Sequence, residues 1–197
     1  MQDVPLAIPH IFERAEKYHP HKEIVTATGA GLERTTYGEW AVRTRKLGGV
    51  LDDLGISADG RVGTFAWNTA RHLELYFAAP CTGRVLHTLN IRLFPEQLTY
   101  IVNHADDEVI FVDRSLLALL APLLPTFERL RHLVMMDDGT GDLPDHLAGH
   151  ELLDYEELLA AADPVEFGDC CVAIVRVEEH HSPQPVSNRV TVDNPDE

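Results

Sequence analysis

Two adjacent cysteines, Cys170 and Cys171, followed by the histidine pair His180 and His181, are residue types that can bind zinc. Their spacing argues against it. Tetrahedral zinc favours cysteine pairs separated by roughly two to four residues, because neighbouring thiolates converge poorly on one ion. A buried strand followed by solvated histidines accounts for them better. Asp137-Asp138-Gly139-Thr140-Gly141-Asp142 is as acidic as a calcium loop. It lacks the alternating acids and the distal bidentate glutamate, and reads as a solvated loop. Gly29-Ala30-Gly31 holds a G-x-G with no helix following in dinucleotide-binding register, so it reads as a hairpin turn. His72, His87 and His104 have no serine or cysteine in a nucleophile elbow, since no G-x-S-x-G occurs, and Cys81 reads as a packed small residue. No residue is assigned a catalytic, cofactor-binding or metal-binding role.

The elements that would position such groups alternate in type. Apolar spacing at Ile8, Ile11, Phe12 and Ala15 predicts a helix over Ile8–Tyr18, stopped by His19-Pro20. Lys22–Thr28 and Glu33–Thr36 read as a short N-terminal hairpin. Tyr37–Leu54 reads as an amphipathic helix with Thr36 as cap, Glu39 at the capping-box position and Gly55 at its end. Strands are expected at Arg61–Ala66, Val85–Thr88, Glu108–Asp113 and His132–Met136. Between them fall helices from Asn68 or Thr69 to Cys81, from Phe94-Pro95 to His104, and over Ser115–Leu124. This alternation predicts right-handed βαβ units: an α/β fold with a mostly parallel sheet and flanking helices. Asp137–His150 reads as a loop and Asp154–Ala162 as a short helix. Cys170–Val177 could form one more strand, and Glu178–Glu197 is expected to be disordered.

Composition sets outer bounds. The chain has 197 residues, 45% hydrophobic and 24% charged, enough for one sizeable core. Its net charge of −16 arises wholly after residue 100, where 5 basic face 21 acidic side chains. Such a field repels phosphate backbones, so nucleic acid and anionic membranes are not expected as partners. No window has the apolar length of a membrane span, and three cysteines are too few for a disulfide framework, so a reducing, cytoplasmic setting is expected.

Several stretches, in order, carry a resemblance. Thr36-Tyr37-Gly38-Glu39-Trp40 is similar to a first core motif, usually Thr/Ser-Tyr-x-Glu-Leu, with Trp40 replacing leucine. Pro80-Cys81-Thr82-Gly83-Arg84-Val85-Leu86-His87 through Asn90 is similar to a second, a helix-to-strand turn around Gly83. With His72-Leu73-Glu74-Leu75-Tyr76-Phe77, His87-Thr88-Leu89-Asn90-Ile91-Arg92-Leu93 and Asp154-Tyr155-Glu156, the chain from Pro5 to Phe167 resembles the opening third of AMP-forming fatty-acyl-CoA synthetases. These belong to the adenylate-forming enzyme superfamily.

The resemblance implies a ligase family that joins a fatty acid or other carboxylate to coenzyme A, using ATP and Mg²⁺ and releasing AMP and pyrophosphate. It also implies a phosphate loop of the type Ser-Gly-Thr-Thr-Gly-x-Pro-Lys-Gly soon after Phe167. The sequence there reads Phe167-Gly168-Asp169-Cys170-Cys171, and no lysine occurs after Lys46. Residues 1–167 are therefore expected to be a partial N-terminal domain and 168–197 a divergent tail. The chain is read as the N-terminal portion of such a ligase, ended early, inactive alone and binding no cofactor by itself. The alternative reading is a non-catalytic module that self-associates or pairs with full-length synthetases.

Overall fold

The computed structural model describes residues 7–28 and 31–168. Helix α1 (Ile8–Tyr18) is followed by an antiparallel hairpin of β1 (Glu23–Thr28) and β2 (Gly31–Thr36), then by α2 (Tyr37–Asp53). The β2-to-α2 junction is a reciprocal cap. Glu39 N–H donates to Thr36 Oγ1 at 3.2 Å, and Thr36 N–H donates to Glu39 Oε2 at 2.8 Å, so two helix-terminal donors are satisfied. Gly55 closes α2 with a left-handed φ of 63°.

Five strands form a parallel sheet in the order β4-β3-β5-β6-β7: β3 (Arg61–Phe65), β4 (Val85–Thr88), β5 (Asp107–Asp113), β6 (His132–Met136) and β7 (Leu152–Asp154). Helix α3 (Ala70–Cys81) connects β3 to β4, α4 (Pro95–Ala105) connects β4 to β5, and α5 (Arg114–Leu120) connects β5 to β6. Helix α6 (Tyr155–Ala161) follows β7. One sheet face buries Val62, Val109, Phe111 and Val134 under α2, α3 and α6; the other buries Phe65, Ile110, Val112 and Leu133 under α4 and α5. Helices on both faces let the β5 run Val109-Ile110-Phe111-Val112 be wholly apolar. A third cluster joins α1, α2 and α3 to the end of the described chain through Phe12, Trp40, Cys81 and Phe167.

Most expected elements are present, with physical reasons where they differ. The expected helix Ser115–Leu124 stops at Leu120 and tightens into a 3-10 turn over Ala121–Thr126, because Pro122 and Pro125 cannot donate to an α-helical ladder. Strand β7 was not anticipated: it has three residues, and Asp154 at its end also caps α6. Thr69, not Asn68, caps α3. Gly83 adopts φ 82°, as the helix-to-strand turn requires. The Gly29-Ala30 turn, the possible strand Cys170–Val177 and the tail expectation lie outside the described residues.

Candidate functional site

In an open parallel sheet, ligands lie beyond the carboxyl ends of the strands, where the strand order reverses. Here that point falls between β3 and β5, since the chain leaves β3 toward β4 on one side and returns to β5 on the other. Trp67, two residues past β3, donates its backbone N–H to Asp113 Oδ2 at 2.6 Å, and its indole Nε1–H to Ser115 Oγ at 3.0 Å. The crevice at the reversal is thus bridged by the chain's own groups.

Asp113 is 1% exposed. Burial pushes its pKa up to about 6; the Trp67 N–H opposes that rise, Asp138 adds to it and Arg71 opposes it. A carboxyl that binds its proton more tightly when folded stabilises the chain below its unfolded pKa, and that contribution is lost as pH rises through about 6. The wild-type chain is therefore expected to lose stability, relative to Asp113→Asn, between about pH 4 and pH 6, by up to ~1.4 kcal/mol per pH unit. Urea denaturation of both proteins across that window checks it. Parallel curves would show that Asp113 does not titrate there.

Beside the reversal lies a cleft of about 240 Å³ between the hairpin and the start of α3, lined by Thr26, Thr35, Thr69, Arg43, Arg71 and Glu156 among others. Arg43 donates from Nε to Glu74 Oε1 at 2.6 Å, and in a bidentate pair to Glu156 at 2.8 and 3.0 Å. Arg71 Nε donates to the same Glu156 at 2.9 Å. Tyr155 O–H donates to the buried Glu74 at 2.5 Å. Burial raises the Glu74 pKa, only partly countered by Arg43 and Tyr155; at half-buried Glu156, burial is outweighed by the bonds from Arg43 and Arg71, and its pKa falls. Arg34, also on the cleft, pairs with Glu23. Each guanidinium on this cleft thus already holds a carboxylate, and the arrangement clamps α2, α3 and α6 together.

The histidines considered in the sequence fall on the scaffold. His72 is buried, with Nδ1 3.1 Å from the Trp67 carbonyl and Nε2 3.0 Å from Thr64 Oγ1. Nδ1–H therefore donates, Nε2 accepts, and burial lowers the ring's pKa, so the imidazole is neutral. His104 stacks on Tyr100 at 5.5 Å, and Cys81 is buried in the α1–α2–α3 cluster. In the acidic loop, Asp137 accepts from Gly139 N–H, while Asp138 accepts from Thr140 and from Ser115 N–H at the start of α5. Cys170, Cys171, His180 and His181 lie outside the described residues.

One pairing had no sequence signal. His87 Nδ1 on β4 lies 2.9 Å from both oxygens of Asp107, which is fully buried on β5. The bridge crosses β3 at Gly63, where a Cβ would sit 3.3 Å from Asp107 Cγ. Burial raises the Asp107 pKa, and His87 moderates the rise.

A family model described as "AMP-binding enzyme" matches residues 12–188. The chain is 42% identical over 164 residues to the 3-methylmercaptopropionyl-CoA ligase of Ruegeria lacuscaerulensis, covering 83% of this chain and 30% of that one. It is 41% identical over 167 residues to the long-chain-fatty-acid–CoA ligase of Thermus thermophilus, covering 84% and 29%. In structure it matches an anthranilate CoA ligase bound to anthranoyl-AMP, with TM-score 0.71, 21% identity, and coverage of 86% of this chain and 32% of that one. The chain therefore spans about 30% of the length of the curated relatives it matches.

Proposed function

Because the chain belongs to the AMP-binding enzyme family, whose relatives here are acyl-CoA ligases, we propose that it serves as the N-terminal scaffold of an AMP-forming acyl-CoA ligase. A fatty acid is the carboxylate substrate we favour, since medium-chain and long-chain fatty-acid ligases are among the relatives. Adenylation requires cationic side chains and backbone N–H groups aimed at the charge that develops on the phosphates. Within these 197 residues no lysine follows Lys46 and no Ser/Thr/Gly-rich cradle with its lysine occurs. That absence of phosphate-directed charge carries the reading. ATP, Mg²⁺ and coenzyme A are then bound by the longer enzyme, and this segment holds shape rather than substrate.

Two measurements test it. Purified chain is expected to give no ATP–pyrophosphate exchange above background with a panel of fatty acids. A Thermus ligase in which residues 7–168 of this chain replace the matching segment is expected to retain exchange within about tenfold. Exchange by the chain alone overturns the non-catalytic assignment, and a folded chimera without exchange overturns the scaffold assignment.

A further inference from the structure

Exposed large apolar side chains are divided unequally between the two ends of the parallel sheet. At the carboxyl end stand Val25 and Leu32 on the hairpin, Trp67 after β3, Phe94 after β4 and Leu143 after β6, all between 47% and 71% exposed. The remaining six are on α1 to α5. None among the described residues is on a connection at the amino end, where Ile56, Phe127 and Leu130 are buried. Apolar side chains grouped in this way mark an interaction surface.

Hydrogen bonds knit the carboxyl end together. Ala70 N–H, at the start of α3, donates to Thr26 Oγ1 at 3.1 Å and so holds the hairpin beside the exit of β3. Trp67 is tied to Ser115 at the start of α5, Ser115 N–H donates to Asp138, and Arg114 Nε donates to Gly141 O at 3.0 Å. The cleft of about 240 Å³, lined in part by Thr26, Thr69 and Asp138, opens among these groups.

Two observations say what covers this end. The chain spans about 30% of the ligases it matches in sequence and 32% of the solved anthranilate ligase, so most of such a fold lies outside it. Charge narrows the choice. Asp142 and Asp145 are exposed on the loop after β6 and hold no salt bridge among the described residues, and the net charge of −16 arises wholly after residue 100. Adenylation requires cationic side chains at the phosphates, yet no lysine follows Lys46 here. The part of such a ligase that carries those cations is complementary to this acidic end.

We propose that the carboxyl end of the sheet, from the hairpin through Trp67 and Phe94 to the loop bearing Leu143, is a docking surface whose occupant is the cation-bearing remainder of the ligase fold. This rests on the scaffold reading. Carbene footprinting of the Thermus chimera against the full chain by itself tests it. Labelling of Val25, Leu32, Trp67, Phe94 and Leu143 is expected to fall severalfold in the chimera, while exposed Leu119 on α5 labels as before. A chimera that supports exchange with these five still labelled overturns the surface and leaves the scaffold reading standing. A folded chimera without exchange overturns both. Co-expression gives a reading that does not need the chimera. The full chain is expected to co-purify with the part of the Thermus ligase beyond the matched segment. Leu32→Lys combined with Leu143→Lys removes two apolar anchors and sets cation against cation, lowering recovery by about tenfold or more. Leu119→Lys is expected to leave recovery unchanged. Equal recovery of all three proteins, or none of the wild-type pair, overturns the proposal.

Discussion

Arg43→Ala lowers folding stability by about 3–5 kcal/mol at neutral pH, the range for a buried ion pair stripped of one partner. Glu74 is 1% exposed, and its partners are Arg43 and the Tyr155 hydroxyl. Without the guanidinium its carboxylate is left buried with a single donor. Arg43 is itself 31% exposed, which places the expected loss toward the lower end. The loss depends on pH. Burial already raises the Glu74 pKa, and removing Arg43 raises it further, so the folded variant holds a proton that the unfolded chain has released. The deficit is therefore greatest above that raised pKa and shrinks as pH falls through it. Adding Glu74→Gln to Arg43→Ala removes the stranded charge while leaving Tyr155 an acceptor, and recovers part of the loss. Urea titrations of both variants decide the matter; a double variant no more stable than Arg43→Ala would show that packing, not charge, sets the cost.

This network also marks where sequence reading stops. Thr36 and Glu39 are three residues apart, and their types at that spacing specify a capping box, which the structure contains. The alternation of helix and strand from Arg61 to Met136 likewise determined a parallel sheet, because a parallel connection requires a crossover. Arg43, Glu74 and Glu156 are 31 and 113 residues apart along the chain, and nothing in their spacing announces that α2, α3 and α6 bring them together. The same holds for His87 and Asp107: each is an ordinary polar residue until β3 places Gly63 between them. Leu152–Asp154 escaped notice because three residues are too few for a periodic signal, and its edge position follows only from pairing with β6. Trp40, at the position where the motif usually has leucine, packs 4.9 Å from Phe12 and 5.0 Å from Phe77. Its indole N–H is buried with no acceptor among the described residues, a cost that the leucine would not carry.

Gly49→Ala is expected to destabilise the chain by about 1–3 kcal/mol, although alanine is the better helix former by about 1 kcal/mol. Gly48 and Gly49 form a shallow groove on α2 in which residues 162–167 lie, held by the Val165 N–H bond to Arg45 O at 3.1 Å. A Cβ on Gly49 would stand 2.2 Å from the backbone carbonyl oxygen of Asp163, and that contact can be relieved only by lifting the segment. Gly48 is the control. Its Cβ would meet only side-chain atoms, Val165 Cγ2 at 2.5 Å, Thr82 Cγ2 at 3.1 Å and Phe167 Cε1 at 3.3 Å, rather than a backbone carbonyl, so Gly48→Ala should be the milder of two destabilising changes. Lifting the segment withdraws Phe167 from Phe12, 4.9 Å between ring centroids, and Phe12 packs directly on Trp40. The tryptophan emission of folded Gly49→Ala should therefore shift. If Gly49→Ala instead matches or exceeds wild-type stability with unchanged emission, residues 162–167 do not lie in the groove as described.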